Sequence, residues 1–471
     1  MKKRRLFLSA ILAPVFAATS TTYAIADPGS SVIGPHDGAP LGGSAVIQGG
    51  SDFFDGGNFS DLTPGQIIET RHLPYHAFGF SGPVDVVQIK FRTTNAQGEP
   101  THGVTSVVKP PVPQNDRLVS FHSVYDSLDP SHSPSRAIQG DVALGTIASS
   151  AETATVAGFL ANGTTVAITD IEGQDAHFAA GPEYGTTTLD ALRAALAEPS
   201  TGLGDNTKIG LLGYSGGAIA TNWAAQLAPE YAPEINEKLV GAATGGLLVN
   251  GLHNIKYLDG SLSWAGILPM TIVGLSKSYG IDLDPYLSDY GRRITSEIQN
   301  ASISEITGGY GGITWASLVK PEYKDPTSIP ELVDVVNKIN LGQAPDPEVP
   351  FFIGQATKGE LDGTQPNPEV GGGDGVMVAG DVRTVAHKIC DAGNPVQYEE
   401  YPLPHTAAFA VWYPTASLWL KDRFDGKPAP NNCGSIAPGN DLPHVDVSPK
   451  GPEGEQELPQ GSAAVRDFTG I

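Results

Sequence analysis

The stretch Gly213-Tyr214-Ser215-Gly216-Gly217 sets one serine among glycines. Before it, the run KIGLLG from Lys208 to Gly213 is short, apolar and of strand type. After it, AIATNWAAQLAPEY has a helical apolar period through Ile219, Trp223 and Leu227, with Pro229 as a stop signal. Ser215 is therefore expected at a strand-to-helix turn. A turn that sharp needs neighbours without a Cβ, and it lifts the hydroxyl clear of the sheet, where it can attack a carbonyl. In a chain with 57 glycines a bare GxSxG is a weak signal, and the strand-turn-helix setting is what gives it weight.

A serine hydroxyl is a poor nucleophile until a base takes its proton, and the base must itself be oriented by an acid. The turn resembles the nucleophile elbow of α/β-hydrolases, and that resemblance implies that the acid and then the histidine follow the serine in the chain. The later histidines are His253, His387, His405 and His444. His405 is best placed, because PLPH directly follows the last strand-like run and precedes the last helix-like one, so its side chain can lean over the strand ends. His387 is expected on a helix face pointing to water and His444 in a tail. The acid is expected in the loop KGELDGTQPNPEVGGGDG, which offers Glu360, Asp362, Glu369 and Asp374. Asp374 is preferred, close to the start of the next helix and among glycines that leave room to face an imidazole. Asp362 lies nearer the strand end and stays open as the alternative; the other carboxylate would be a turn or surface group. Two backbone N–H groups must hold the oxyanion. Gly216, the residue after the nucleophile, supplies one, and Tyr125-Asp126-Ser127 stands in the loop after an earlier strand, where the second belongs. No HGGG run is present, which disfavours hydrolases with that oxyanion loop.

The elements that must carry these residues alternate. Two strands are expected in PVDVVQIKFRTTNAQGEPTHGVTSVVKP, then a short strand from Leu118 to Ser123. A helix is expected between Asp141 and Ala161, a strand at Thr164–Thr169 and a helix with Leu189, Leu192 and Leu196 on one face, before the serine turn and a strand in LVGAATGGLLVN. The rhythm breaks between about Gly251 and Pro345 and resumes with the strand VPFFIGQA, a helix bearing Val382, Val385 and Ile389, the strand PVQYEEYP and a final helix. Alternation of this kind means a mostly parallel sheet with helices on both faces. The interruption, 251–345, reads as a helical cap whose apolar Trp264, Ile267, Leu268, Met270 and Ile272 either line an acyl pocket or pack on the sheet. Packing is the expected role for most of them. The core would then be 61–250 and 346–433, preceded by an extended lead-in at 27–60 and followed by a Pro- and Gly-rich tail, 434–471, with no fold of its own, wrapped on the surface or mobile.

The chain of 471 residues suits one large domain with insertions, or two. Lys2, Lys3, Arg4 and Arg5, the apolar stretch Leu6 to Ala18 and Ala24-Ile25-Ala26 read as a secretory signal peptide, residues 1–26. The apolar stretch is too short to span a bilayer, so no stable membrane insertion is expected. Loss of the four basic residues would take the formal charge from -23 to -27. Nucleic acid and anionic surfaces are thereby excluded as favoured partners, since both need clustered positive charge. The two cysteines, Cys390 and Cys433, are expected as one disulfide in an exported, extracellular or envelope-associated protein.

VYDS after an early strand, DIEGQDAHFAAG before the Leu189 helix, GYSGG at the turn, GDGVMVAGD at a helix start and the strand-PLPH end together resemble the secretory lipase family, from about Phe54 to about Phe424. The resemblance implies an α/β-hydrolase fold with a helical cap and acyl-ester hydrolysis without metal or organic cofactor. It further implies nucleophile Ser215, acid Asp374, base His405 and oxyanion donors at Asp126 and Gly216. Glu172-Gly173 also matches the family, and a structural role beside the site is expected for it. Lipid or other acyl esters would be the substrate, with a transient lipid interface through the cap. An esterase or acyltransferase for non-lipid esters, or an inactive hydrolase-fold binding protein, are the alternatives.

Overall fold

The computed structural model describes residues 53–464 apart from Asn115, so the signal-type residues 1–26 lie outside it. Everything below concerns the unit that begins at Gly56. Its strands are β1 (Ile67–Ala77), β2 (Phe80–Thr94), β3 (Pro100–Val108), β4 (Arg117–His122), β5 (Thr165–Thr169), β6 (Lys208–Tyr214), β7 (Leu239–Gly245), β8 (Phe351–Ala356) and β9 (Val396–Tyr401). They form one sheet in the order β1-β2-β3-β5-β4-β6-β7-β8-β9. The first three pairings, through β3 with β5, are antiparallel. The other five are parallel.

Strand β1 was not expected. Its text, IIETRHLPYHA, has little alternation and contains Pro74, which an edge strand tolerates because one side of it needs no partner; the register shifts between Pro74 and His76. The central strands are buried on both faces, which is why they read as apolar runs. Ile209 and Leu211 of β6 pack with Leu189, Leu192, Trp223 and Val382 on one side. Leu212 packs with Phe352, Trp412, Trp419 and Leu420 on the other. Gly210 lets Leu420 approach the strand closely, since a Cβ there would sit 2.7 Å from it. The single helix expected over 141–161 is three short pieces, Leu144–Thr146, Ile147–Ala151 and Thr153–Leu160. The tight packing of Gly145 on the His132 ring shapes the first of them.

Between β7 and β8 the chain leaves the sheet and returns at one point, where Leu341 N–H donates to the Val249 carbonyl at 3.0 Å. The helices Gly251–Leu258, Ile267–Tyr279, Asp289–Glu297 and Pro330–Lys338 in this stretch surround their own apolar core, which includes Leu268, Met270, Ile272, Leu287, Ile294 and Val335. Cys390 and Cys433 are joined in a disulfide. Beyond it the tail runs without strands along the inserted helices. Val445 and Asn337 exchange two hydrogen bonds at 2.9 Å, Gly451 N–H donates to the Glu322 carbonyl at 2.8 Å, and Ala463 is buried in the inserted core. Among the described residues no helix is long and apolar enough to cross a membrane.

Candidate active site

The elbow is built by exclusion of side chains. Ser215 follows β6 with φ +54°, a strained region for a non-glycine residue, and opens the helix Gly216–Tyr231. A Cβ on Gly213 would fall 2.1 Å from the Gly217 carbonyl oxygen, and one on Gly217 would fall 2.1 Å from that of His122. Both positions are therefore closed to any side chain. Pro229 does not end the helix; it lies inside the last turn, and the helix reaches Tyr231.

Ser215 Oγ lies 2.8 Å from His405 Nε2, and His405 Nδ1 lies 2.7 Å from Asp374 Oδ2. With Asp374 as acceptor, Nδ1 carries the proton and Nε2 is free to accept one from the serine. His405 is the first residue of the final helix, His405–Phe424. Its backbone N–H donates to the Asp374 carbonyl at 2.7 Å, and its carbonyl accepts from Tyr214 Oη at 2.6 Å. Gly246 leaves room for the ring, since a Cβ there would sit 2.7 Å from His405 Cε1. Asp374 is fully buried, and its Oδ1 accepts from the N–H groups of Val376 and Met377 at 2.9 and 2.7 Å. These amides belong to a turn, because the helix expected to begin beside Asp374 starts only at Ala379. Burial pulls the His405 pKa down, but the charge and hydrogen bond of Asp374, with further help from Asp362 and Asp126, outweigh it and leave the imidazole above its ordinary range.

Asp126 follows β4 with φ +25° and lies directly on the elbow, where a Cβ on Gly216 would fall 1.9 Å from Asp126 Oδ1. That oxygen is buried without a hydrogen-bond partner among the described residues. Burial pushes the Asp126 carboxyl up to about 7, with the His405 charge drawing it down. The loop is held from behind by further buried acids. Ser127 N–H and Tyr184 Oη each donate to Glu172 at 3.1 Å, and burial, with the charge of Asp126, holds Glu172 well above the carboxylate range. Glu152 accepts from Val124 N–H at 3.1 Å and is pushed by burial up to about 8. Ile303 N–H, from the insertion, donates to the Asp126 carbonyl at 2.9 Å.

The structure thus brings Ser215, His405, Asp374, Asp126 and Gly216 together at the C-terminal ends of β4, β6 and β9 and in the loop after β8. The other histidines lie elsewhere. His253 pairs with Asp381 at 2.8 Å, His387 Nε2 lies 3.1 Å from the Ala437 carbonyl, and His444 lies in the tail. Asp362 accepts from Trp264 Nε1 at 3.3 Å. Sequence reasoning missed Tyr214, Gly246 and the placement of Trp264, whose ring stands edge-on to His405 with centroids 5.7 Å apart. Tyr214 was visible as the variable residue of the elbow, while the other two are neighbours only in space.

Comparison with known proteins bears on the family and the fold. The family model described as secretory lipase matches residues 138–432. Among curated proteins, the chain is 27% identical to Lipase 6 of Candida albicans over 83% of its own length and 84% of the relative's. It is 29% identical to a probable inactive lipase of Mycobacterium tuberculosis over 80% of its own length and 82% of the relative's. Among solved structures, the closed state of Candida antarctica lipase A superposes with a TM-score of 0.72 at 25% identity, covering 84% of this chain and 90% of that one. A cell wall degrading esterase from Xanthomonas oryzae, at 14% identity and a TM-score of 0.55, shares the fold. Match and fold together make the chain an α/β-hydrolase and a member of the secretory lipase family.

Proposed function

We propose that the protein is a secreted serine lipase that cleaves carboxylic esters of lipids through an acyl-enzyme on Ser215. The observation that carries the reading is the unbroken contact from Ser215 Oγ through His405 to buried Asp374. His405 Nε2 takes the proton as Oγ attacks the ester carbonyl, and Asp374 stabilises the imidazolium that forms. The backbone N–H groups of Gly216 and Asp126 receive the oxyanion. His405 then protonates the departing alkoxide, and water, activated by the same imidazole, releases the acid. Residues 251–345 act as a cap over the site. Its exposed Leu262, together with Leu361 of the core, supplies apolar surface for transient contact with the lipid. Residues 1–26 would be removed on export.

The relative in Mycobacterium tuberculosis described as probably inactive makes a catalytic test necessary. Tributyrin and a long-chain triglyceride emulsion are assayed side by side with the parent and Ser215→Ala. The variant is expected to lose at least about a thousandfold in rate, as removal of a nucleophile does in serine hydrolases, and to escape labelling by a fluorophosphonate that marks the parent. Parent-like turnover by Ser215→Ala would end the reading.

A further inference from the structure

The imidazole of His405 has a second acidic neighbour. Asp362, in the short helical turn Gly359–Asp362 after β8, is half-buried and accepts a hydrogen bond from Trp264 Nε1 at 3.3 Å, while of the two acids it is Asp374 that bonds the ring. Trp264 belongs to the cap, and its indole stands at 80° to the His405 ring. The two segments are joined at several further points. Leu262 N–H donates to the Gly363 carbonyl at 3.3 Å. Ser261 Oγ and Thr364 Oγ1 lie 2.7 Å apart, and Thr364 Oγ1 donates to the Gly375 carbonyl at 2.7 Å. Gly375, with φ +115°, lets them meet, since a Cβ there would sit 3.3 Å from both Trp264 Nε1 and Asp362 Cβ. The residue after Asp374 thus forms the floor under the Trp264–Asp362 contact.

We propose that Asp362 and Trp264 are a positioning pair for the catalytic base: the cap's indole N–H fixes Asp362 beside the site, and the Asp362 carboxylate stabilises the His405 imidazolium through space. The proposal rests on the serine-lipase reading above for its catalytic meaning. A negative charge held near, but not bonded to, a ring that becomes positive as the serine gives up its proton favours that step without competing with Asp374 for Nδ1. The charged groups acting on His405 are Asp374, Asp362 and Asp126, with uncharged Ser215, Tyr214 and Trp264 completing its surroundings. Burial holds the Asp362 carboxyl above its ordinary value; the Trp264 N–H and His405 favour its ionised form, and Asp374 opposes it. The adjacent Lys358 and Glu360 pair with one another at 3.6 Å.

The test is the titration of the His405 ring by 1H–15N NMR in the full-length protein, beside the acid limb of kcat/KM for p-nitrophenyl butyrate. Asp362→Asn is expected to lower the His405 titration point by about 0.5 pH unit, the size of effect expected from loss of one partly screened charge. Trp264→Phe is expected to move it less and in the same direction. The double variant should move no further than Asp362→Asn alone, because the two changes disable one device. Asp362→Glu keeps the charge and should restore the parent titration, which a purely structural role would not require. A titration point in Asp362→Asn that stays in place or rises overturns the proposal. The ring titration is read without turnover, so an active Ser215→Ala would sink the serine mechanism while leaving the pair to be decided by NMR.

Discussion

Gly216 is the residue of the elbow on which the Asp126 loop presses. A Cβ there would collide with the Asp126 carboxyl at 1.9 Å, whereas one on Gly204 would meet nothing within 4 Å. Gly216→Ala must push the Asp126 loop away, so kcat is expected to fall about 100- to 1000-fold, the cost of losing one oxyanion donor. Gly204→Ala is the control and should leave the rate within a factor of two. Steady-state kinetics with a soluble ester distinguishes them, and a Gly216→Ala enzyme as fast as the control would show that Asp126 is not placed for the oxyanion. The pH dependence follows from the base. As the proposed base, His405 would work only when neutral; burial lowers its pKa, but Asp374 outweighs that and raises it. Activity should therefore fall as the pH drops through a value above the ordinary imidazole pKa of about 6.5. A kcat/KM profile flat down to pH 5 would remove His405 from the role of base.

At the scale of elements, the tail is a strap on the insertion. Gln456 Nε2 lies 2.9, 3.3 and 3.1 Å from the carbonyls of Ala316, Ser317 and Val319, Ser448 N–H donates to the Thr327 carbonyl, and Ala463 N–H donates to the Gly311 carbonyl at 3.0 Å. At its upstream end Asn440 Nδ2 donates to Asp381 Oδ1 at 2.7 Å, and Asp381 also holds His253 of the insertion. Ending the chain at Gly439 exposes these carbonyls and the apolar neighbours of Ala463. Limited proteolysis is expected to cut within 300–328 several times faster than in the full chain, with the sheet core still intact. Equal cutting rates would mean the strap stabilises nothing. How far these elements could be read in advance depended on whether their cause was local. The Ser215 turn was legible because strand, glycines and helix are contiguous, and His405 because it follows the last strand directly. β1 was missed because its apolar pattern is broken by Pro74 and by a register shift that only the neighbouring β2 defines. The helix start at Ala379 was misplaced because the glycines of 371–375 form a loop closed by a bridge between Gly373 and Val378. The contact of Trp264 with Asp362 joins residues 98 positions apart through the folded insertion, so no spacing rule reaches it.

Over the whole molecule, burial of acids in and behind the Asp126 loop gives stability a pH dependence of unusual sign. Burial raises Asp126 from 3.8 to about 7 and Glu152 from 4.5 to about 8, and raises Glu172 in the same direction. Between the unfolded and folded pKa values these groups bind more protons in the native state, so each makes the fold less stable by about 1 kcal/mol per pH unit as pH rises. His405, raised in the native state, acts with the same sign, since its charged form is favoured by folding and is lost as pH rises through the folded value. His122 opposes them. Burial lowers it to about 3, so it makes the fold more stable with rising pH, but only up to the ordinary value of 6.5. Below that point one histidine offsets one of these three carboxyls, and above it nothing of comparable burial among the described residues does. A formal charge of -23 adds self-repulsion that grows as the last carboxyls ionise. The melting temperature is therefore expected to fall by several degrees between pH 6.5 and 8. Glu152→Gln, which keeps an acceptor for Val124 N–H but cannot ionise, should make the decline shallower. Scanning calorimetry at constant ionic strength decides the matter: a melting temperature that rises across this interval would mean the three acids are ionised in the native state, with a counter-charge balancing them.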